Sequence, residues 1–196
     1  MQEKSTRTPN VERRAQMRAR LIAAARAVFV EKGYADAGTP EIVRVAEATR
    51  GALYHHFEDK QALFRAVVEA EAAEVTQAIE TASGAVEATQ ALAAGSHAFF
   101  TTMAVAGRAQ ILLVDGPAVL GAAEMDRIDA GGGRQSLLLG LQAAHPERSG
   151  AEIKALAIVL SAAFDRAALE VAQTDAQAAV FEAVLTGMLN TALTPG

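Results

Sequence analysis

Thr39-Pro40-Glu41-Ile42-Val43-Arg44-Val45-Ala46-Glu47-Ala48-Thr49-Arg50-Gly51-Ala52-Leu53-Tyr54-His55-His56-Phe57 is the stretch that decides the fold. Thr39 reads as an N-cap with Pro40 at the first helical position: the hydroxyl satisfies a free amide and proline has none to leave unpaired. The helix that starts there has room for only about two turns before Ala46. Thr49 caps a second short helix that reaches about His56. Two such helices, joined by about three residues, have the dimensions of a helix-turn-helix. In that motif the second helix lies in the DNA major groove and the first crosses the backbone.

The second helix has an unusual make-up for a structural element. Only Leu53 and Phe57, four apart, read as buried, while Arg50, Tyr54 and His55 project on the other side. Gly51 costs ~1 kcal/mol of helix propensity against alanine, which points to close approach by another molecule. Hydroxyls and tyrosine suit phosphate contacts, and arginine suits base edges.

Working outward, residues 13–32 form a first helix with Leu21, Ile22, Ala25, Val28 and Phe29 at helical spacing, stopped by Gly33. Asp59 caps a further helix whose stripe, Leu63, Phe64, Val67, Val68, Val75 and Ile79, runs to about Thr81. Lys60 sits in its first turn, where the helix dipole disfavours a cation. A DNA phosphate at that helix start would satisfy both the amides and the ammonium, although a solvated surface lysine would look the same.

Composition agrees with an all-α chain. The 196 residues include 46 alanines, only 5% aromatics and no tryptophan, and alanine is the strongest helix former. The absence of cysteine excludes a disulfide framework, a thiolate zinc site and a cysteine nucleophile. Residues 1–60 carry 11 Lys/Arg against 8 Asp/Glu, net +3, and residues 61–196 carry 7 against 15, net −8. That split suggests a basic module joined to an acidic one. Its most biased part holds Lys4, Arg7, Arg13, Arg14, Arg18, Arg20, Arg26 and Lys32. The opening MQEKSTRTPN has no apolar run behind it, and stretches 111–114 and 155–164 fall short of the ~18–20 residues of a membrane span. A cytoplasmic chain with no membrane partner is expected.

About nine helices are expected in all. A fifth carries Val86, Leu92, Phe99 and Met103; residues 111–114 form a short apolar helix stopped by Asp115-Gly116-Pro117. A seventh, from Pro117 to about His145, must bend or break at Gly131-Gly132-Gly133. The last two carry the stripes Ile153, Leu156, Leu160, Phe164, Ala167, Val171 and Val180, Phe181, Val184, Leu185, Met188, Leu189. The first of these would be ~35 Å long at about 1.5 Å per residue. Together they offer more apolar surface than one thin domain covers, so helices from about 150 to 192 should pair with a second copy as a four-helix bundle.

Other constellations carry less. Adjacent His55 and His56 diverge by about 100° on a helix and do not share a metal; His97 and His145 stand alone. Gly131-Gly132-Gly133-Arg134-Gln135-Ser136 lacks the Gly-Lys-Ser/Thr ending of a phosphate loop. No serine, histidine and carboxylate group as a catalytic triad. Neither an enzyme, a cofactor nor a metal is expected. On the fifth helix, His97, Phe99, Phe100 and Met103 crowd into little more than two turns. Either they are ordinary core, or they bound a pocket with Leu120, Met125 and Phe164 for a small, largely apolar molecule, His97 supplying the polar handle.

Gly33-Tyr34, Thr39-Pro40-Glu41-Ile42, Thr49-Arg50-Gly51-Ala52-Leu53-Tyr54-His55-His56-Phe57 and Lys60-x-x-Leu63-Phe64, in that order, resemble the TetR family of transcriptional regulators. The stretch Ile111-Leu112-Leu113-Val114-Asp115-Gly116-Pro117-Ala118-Val119-Leu120-Gly121 is similar to a segment of one branch of it. The resemblance implies a DNA-binding domain over 1–60, ordered from about 13, and a helical ligand-binding and dimerisation domain over 61–196. It implies a homodimeric repressor on a palindromic operator of double-stranded DNA, released by a small-molecule effector. Thr49, Arg50, Tyr54, His55 and Lys60 stand where the family touches DNA; with Thr39 and Gly51 they make the expected contact set. Two positions depart from the pattern. Glu47 stands in the turn where the family usually has glycine, at a cost of ~1–2 kcal/mol if φ is positive there. Ala48 stands where valine is common. These departures favour the alternative of a helical ligand-binding or scaffold protein with weakened or lost DNA binding.

Overall fold

The computed structural model describes residues 10–174 and 177–192. Lys4 and Arg7, counted above in the basic stretch, lie outside the described residues. Among the described residues every regular element is helical: α1 (Asn10–Asp36), α2 (Thr39–Val45), α3 (Arg50–His56), α4 (Lys60–Gly84), α5 (Ala88–Met103), α6 (Arg108–Leu120), α7 (Ala122–Ala130), α8 (Gly133–Ala144), α9 (Gly150–Gln173) and α10 (Ala178–Ala192). The all-α expectation holds. There are ten helices among these residues rather than about nine, because Gly131 and Gly132 interrupt the expected seventh helix instead of bending it. None of them is by itself long and apolar enough to cross a membrane.

The chain divides after Val67 into two compact units. The division falls inside α4 rather than at residue 60 because the first two turns of α4 belong to the N-terminal core. Phe64 meets Phe29 edge-on at 5.1 Å and Tyr34 at 4.9 Å, and Leu63 and Val67 are buried. α1 contributes Leu21, Ala24, Ala25, Val28 and Phe29 to the same core, the i, i+3, i+4, i+7 face of one helix. Gly33 breaks α1 with φ +74°, a backbone state that glycine enters without steric cost. Ile42 of α2 and Leu53 of α3 close the core from the helix-turn-helix side.

The C-terminal unit packs α5, α8, α9 and α10 around Phe100, Leu141, Ile153, Ala157, Leu160, Phe164, Ala167, Leu185 and Leu189. A capping box starts α9: Ser149 accepts from the Glu152 amide while Glu152 reaches back to Ser149. The expected stop at Asp115-Gly116-Pro117 does not occur. The helix runs through to Leu120 by widening into a π-turn over Ile111–Asp115, in which the Gly116 amide bonds the Ile111 carbonyl five residues back. The wide turn accommodates Pro117, which has no amide to give the regular ladder. Gly116 is also a point of close approach, since a Cβ there would stand 2.9 Å from both the Ile111 carbonyl and the Met125 sulfur.

Arg108, at the head of α6, is 3% exposed and donates to Glu71 at 2.9 Å, to Glu74 and to the Thr102 carbonyl at 2.9 Å. Such a group is tolerated in a core because its charge and its N–H groups are satisfied together.

Candidate nucleic-acid interface and ligand cavity

The helix-turn-helix is built at its two caps and its turn. Thr49 caps α3 as expected, its hydroxyl accepting from the Ala52 amide at 3.1 Å. Thr39 does not cap α2: Gly38 holds that position, and Thr39 and Pro40 occupy the first two helical places. The Thr39 hydroxyl is free to serve elsewhere. Its polar interaction with Tyr54, ahead of that of Arg50, holds the Tyr54 phenol below its ordinary pKa. The Arg50 guanidinium also lies 5.6 Å from the Tyr54 ring centre. Half-buried Thr39 and exposed Arg50 and Tyr54 therefore form one polar group across the two helices.

The turn takes the conformation that the glycine-to-glutamate departure raised. Glu47 has φ +48°, a left-handed state unfavourable for a residue with a Cβ. Arg20 of α1 clamps the turn, donating to the carbonyl of Ala46 and, at 2.9 Å, to that of Glu47. Gly51 is exposed, and a Cβ added to it would meet only the Thr49 hydroxyl at 3.9 Å among the described residues. Nothing inside the unit requires glycine there, so its cost in helix propensity has no internal compensation.

Lys60 is where the structure departs from the sequence argument. Its ammonium donates to the carbonyls of Tyr34 at 2.8 Å and Ala37 at 3.1 Å, and lies 4.3 Å from the Tyr34 ring centre. These acceptors account for a cation at a helix start without DNA. The residue ties the end of α1 to the start of α4, while Asp59 caps α4 through the Ala62 amide at 2.7 Å. His55 is exposed. His56 is held below its ordinary pKa by burial and then by the positive charges of His55, Arg14 and Arg18. Arg14 and Arg18 of α1 and Arg44 of α2 are exposed cations that the reading of the motif passed over. The charge bias of residues 1–60 was the signal that contained them.

Within the C-terminal unit a cavity of about 930 Å³ lies among helices α4 to α10. Phe99, Met103, Met125 and Phe164 line it, as the pocket alternative required. Three expected members do not. Phe100 is 4% exposed and sits in the core, its ring 5.5 Å from that of Phe99. His97 faces outward, 70% exposed, with Nδ1 3.0 Å from the Glu182 carboxylate of α10. Leu120 is half-buried at the end of α6 and outside the lining. Successive residues on a helix diverge by about 100°, so neighbours of Phe99 at 97 and 100 were bound to part from it.

The polar lining comes instead from residues that the sequence did not single out. Asp126 of α7 pairs with Arg134 of α8 at 2.8 Å. Asp129 lies 3.5 Å from the Arg134 guanidinium and accepts from the Arg134 amide at 3.3 Å and the Ser161 hydroxyl at 3.1 Å. Asp165 of α9 has neither a hydrogen bond nor an ion pair among the described residues. Burial, and second the negative charge of Asp129, push its carboxyl up to about 7, against the smaller opposing pull of Arg134. Ser96 of α5, 4% exposed, also lines the cavity, and its buried hydroxyl has no hydrogen-bond partner among the described residues.

Comparison with known proteins agrees with this two-part layout. Residues 21–67 match the family described as bacterial regulatory proteins, tetR family. Residues 89–192 match the tetracyclin repressor-like C-terminal domain. The chain is 40% identical over 55 residues to the A-factor receptor protein of Streptomyces griseus, covering 28% of this chain and 20% of that one. It is 41% identical over 54 residues to the HTH-type transcriptional repressor BepR of Brucella suis biovar 1, covering 28% of this chain and 26% of that one. These matches thus span about a fifth to a quarter of the curated relatives' length. The crystal structure of a TetR-family transcriptional regulator from Pectobacterium atrosepticum superposes with a TM-score of 0.75 at 28% identity, covering 93% of this chain and 97% of that one. The family, the Brucella relative and the Pectobacterium protein are regulators, not enzymes. The chain, matched by family models in both of its units, belongs to the TetR family.

Proposed function

We propose that the protein is a ligand-responsive, DNA-binding transcriptional regulator, a cytoplasmic repressor that binds a palindromic operator as a homodimer. The observation that carries this reading is the group of half-buried Thr39 with exposed Tyr54 and Arg50 beside an unobstructed Gly51 on α3. Arg50 is assigned to base readout, and Thr39, Thr49, Tyr54 and His55 to the sugar-phosphate backbone close to Gly51. Arg14, Arg18 and Arg44 add sequence-independent phosphate contacts. Lys60 acts mainly by holding the junction of α1 and α4, and meets phosphate only through what its carbonyl partners leave free.

The effector enters the cavity of the C-terminal unit. Ala72, Val75 and Ile79 of α4 line that cavity, and α4 is the helix that follows the recognition helix in the chain. A ligand that favours one position of α4 changes the operator-competent population only to the extent that it binds the two states differently.

The homodimer rests on what α9 and α10 leave uncovered. Val180, Val184 and Met188 are 57%, 56% and 44% exposed, and Val159 of α9 is 63% exposed. The α9 stripe offered by the sequence for the dimer is spent inside the subunit, since Ile153, Leu160, Phe164 and Ala167 are buried in its own core. The dimer face is the opposite side of α9, with the 180, 184, 188 row of α10.

Selection of DNA from a random pool by the purified full chain, followed by footprinting, tests the whole reading. Recovery of a palindrome is the expected result. Absence of enrichment at low salt would replace this reading by that of a helical ligand-binding or scaffold protein.

A further inference from the structure

We propose that the cavity of the C-terminal unit takes an amphipathic monocation, an apolar body carrying one protonated amine, with Asp165 as its counter-ion and Ser96 as a hydrogen-bond partner. This rests on the reading of that unit as the effector-binding domain, and it fixes the chemical class of the ligand.

The argument is one of unmatched groups. Among the acidic side chains of the lining, exposed Glu80 accepts from the Ser136 hydroxyl at 3.4 Å, Asp126 and Asp129 share the guanidinium of Arg134, and Asp129 is completed by the Ser161 hydroxyl. Arg166, next to Asp165, is itself paired with Glu170. Asp165 is thus the lining carboxyl with neither a hydrogen bond nor an ion pair among the described residues, and the charges that act on it are Asp129 of α7 and Arg134 of α8. Its environment raises the cost of its charge, so at neutral pH it is divided between the acid and the carboxylate. A ligand cation removes that cost at once, whereas a ligand carboxylate adds a further like charge. The Ser96 hydroxyl, buried and unpartnered at the same cavity, is a second vacancy with the opposite property: it can donate or accept. An unpaired buried hydroxyl is costly, and an N–H donor from the ligand relieves it. The rest of the wall, Phe99, Met103, Met125 and Phe164 among it, accepts an apolar body, and methionine adapts to its outline.

Fluorescence titration of the full chain with 1-pyrenemethylamine, 1-pyrenemethanol and 1-pyrenecarboxylate tests the proposal, because the three probes share one apolar body and differ in the head group. The amine is expected to bind roughly tenfold tighter than the alcohol in mild alkali, and the carboxylate weakest of the three. Between about pH 8.5 and about pH 5.5, the amine should lose roughly tenfold in affinity as Asp165 takes up a proton, while the alcohol stays constant. Asp165→Asn should bring the amine to the level of the alcohol and abolish its pH dependence. Ser96→Ala should weaken the amine by a few-fold. The pH series uses the unaltered protein and decides the matter even if a variant does not fold. Equal affinity for amine and alcohol, a preference that survives Asp165→Asn, or no binding of any probe would overturn the proposal. Adding 1-pyrenemethylamine to the protein bound to its selected operator is a separate arm: tight binding without DNA release overturns the regulatory reading and leaves the ligand class standing.

Discussion

Arg20 of α1 reaches 27 residues along the chain to donate a 2.9 Å hydrogen bond to the carbonyl of Glu47, a non-glycine residue with positive φ. One residue carries backbone strain and the other holds it in place. The strain alone argues for a weakened helix-turn-helix; the clamp restores the turn that the motif needs.

Glu47→Gly should therefore stabilise the protein by ~1 kcal/mol, since glycine enters the left-handed region freely, and should also raise DNA affinity. Arg20→Met should cost about 1–2 kcal/mol, because two carbonyls lose a charged donor. Urea unfolding reads both effects. A loss of stability in Glu47→Gly would show that its side chain contributes more than its backbone costs.

Arg50→Ala and Lys60→Met separate reading from positioning. Arg50→Ala should cost ~1–3 kcal/mol on the selected operator and little on random DNA, relaxing preference at one or two base pairs. Lys60→Met should lower affinity for all sequences alike and lower folding stability too, because it releases the carbonyls of Tyr34 and Ala37. Binding isotherms on specific and random duplexes, alongside thermal unfolding, check this pair. An Arg50→Ala effect equal on both DNAs would remove it from base readout.

The buried Arg108 makes a sharper stability prediction. Arg108→Met removes the guanidinium that pairs with Glu71, 3% exposed, at 2.9 Å, and loss of one partner of a buried pair costs about 3–5 kcal/mol. Removing both, as Arg108→Met with Glu71→Met, should recover most of that. A double-mutant cycle in urea is the measurement, and additive effects would mean that the pair is not the unit of stability.

Asp165 gives the fold a pH dependence with a definite sign. Its folded-state pKa, about 7, lies above the ordinary carboxyl value of 3.8. The protonated side chain is the favoured form in the folded state, so its contribution is full below the ordinary value and is lost as pH rises through about 7. The charged groups that act on it are Asp129 of α7 and Arg134 of α8. Asp165→Asn should be more stable than the parent at pH ~8, by roughly 2–4 kcal/mol, with the gap closing toward pH ~4. Thermal unfolding across that range checks it; a constant gap would mean that the carboxyl is not the titrating group.

Val184→Glu with Met188→Glu should convert the proposed dimer to a folded monomer at micromolar concentration, because both side chains are exposed within the subunit and would place like charges at the proposed shared face. Light scattering gives the mass and circular dichroism the helicity. A dimer of unchanged stability would move the interface elsewhere.

The sequence by itself determined what depends on near neighbours. Helical spacing, alanine content, the caps at Thr49 and Asp59 and the stop at Gly33 act over a few residues, so the all-α class and the helix-turn-helix were legible directly. The side of α3 that stays exposed followed from the same periodicity. Tertiary structure decided what depends on partners far along the chain. Gly38 took the cap expected of Thr39, and Lys60 turned out to bond carbonyls 23 and 26 residues back. The strain at Glu47 could be weighed only once Arg20 was seen beside it. In the cavity, helical spacing correctly grouped Phe99 with Met103. It could not tell which neighbouring turn faced the void, so His97 went to Glu182 and Phe100 to the core. Asp165 was illegible for a physical reason: one aspartate in a helix carries no mark of its environment. Only the packing of α7, α8 and α9 buried it beside Asp129, whose charge is already shared with Arg134.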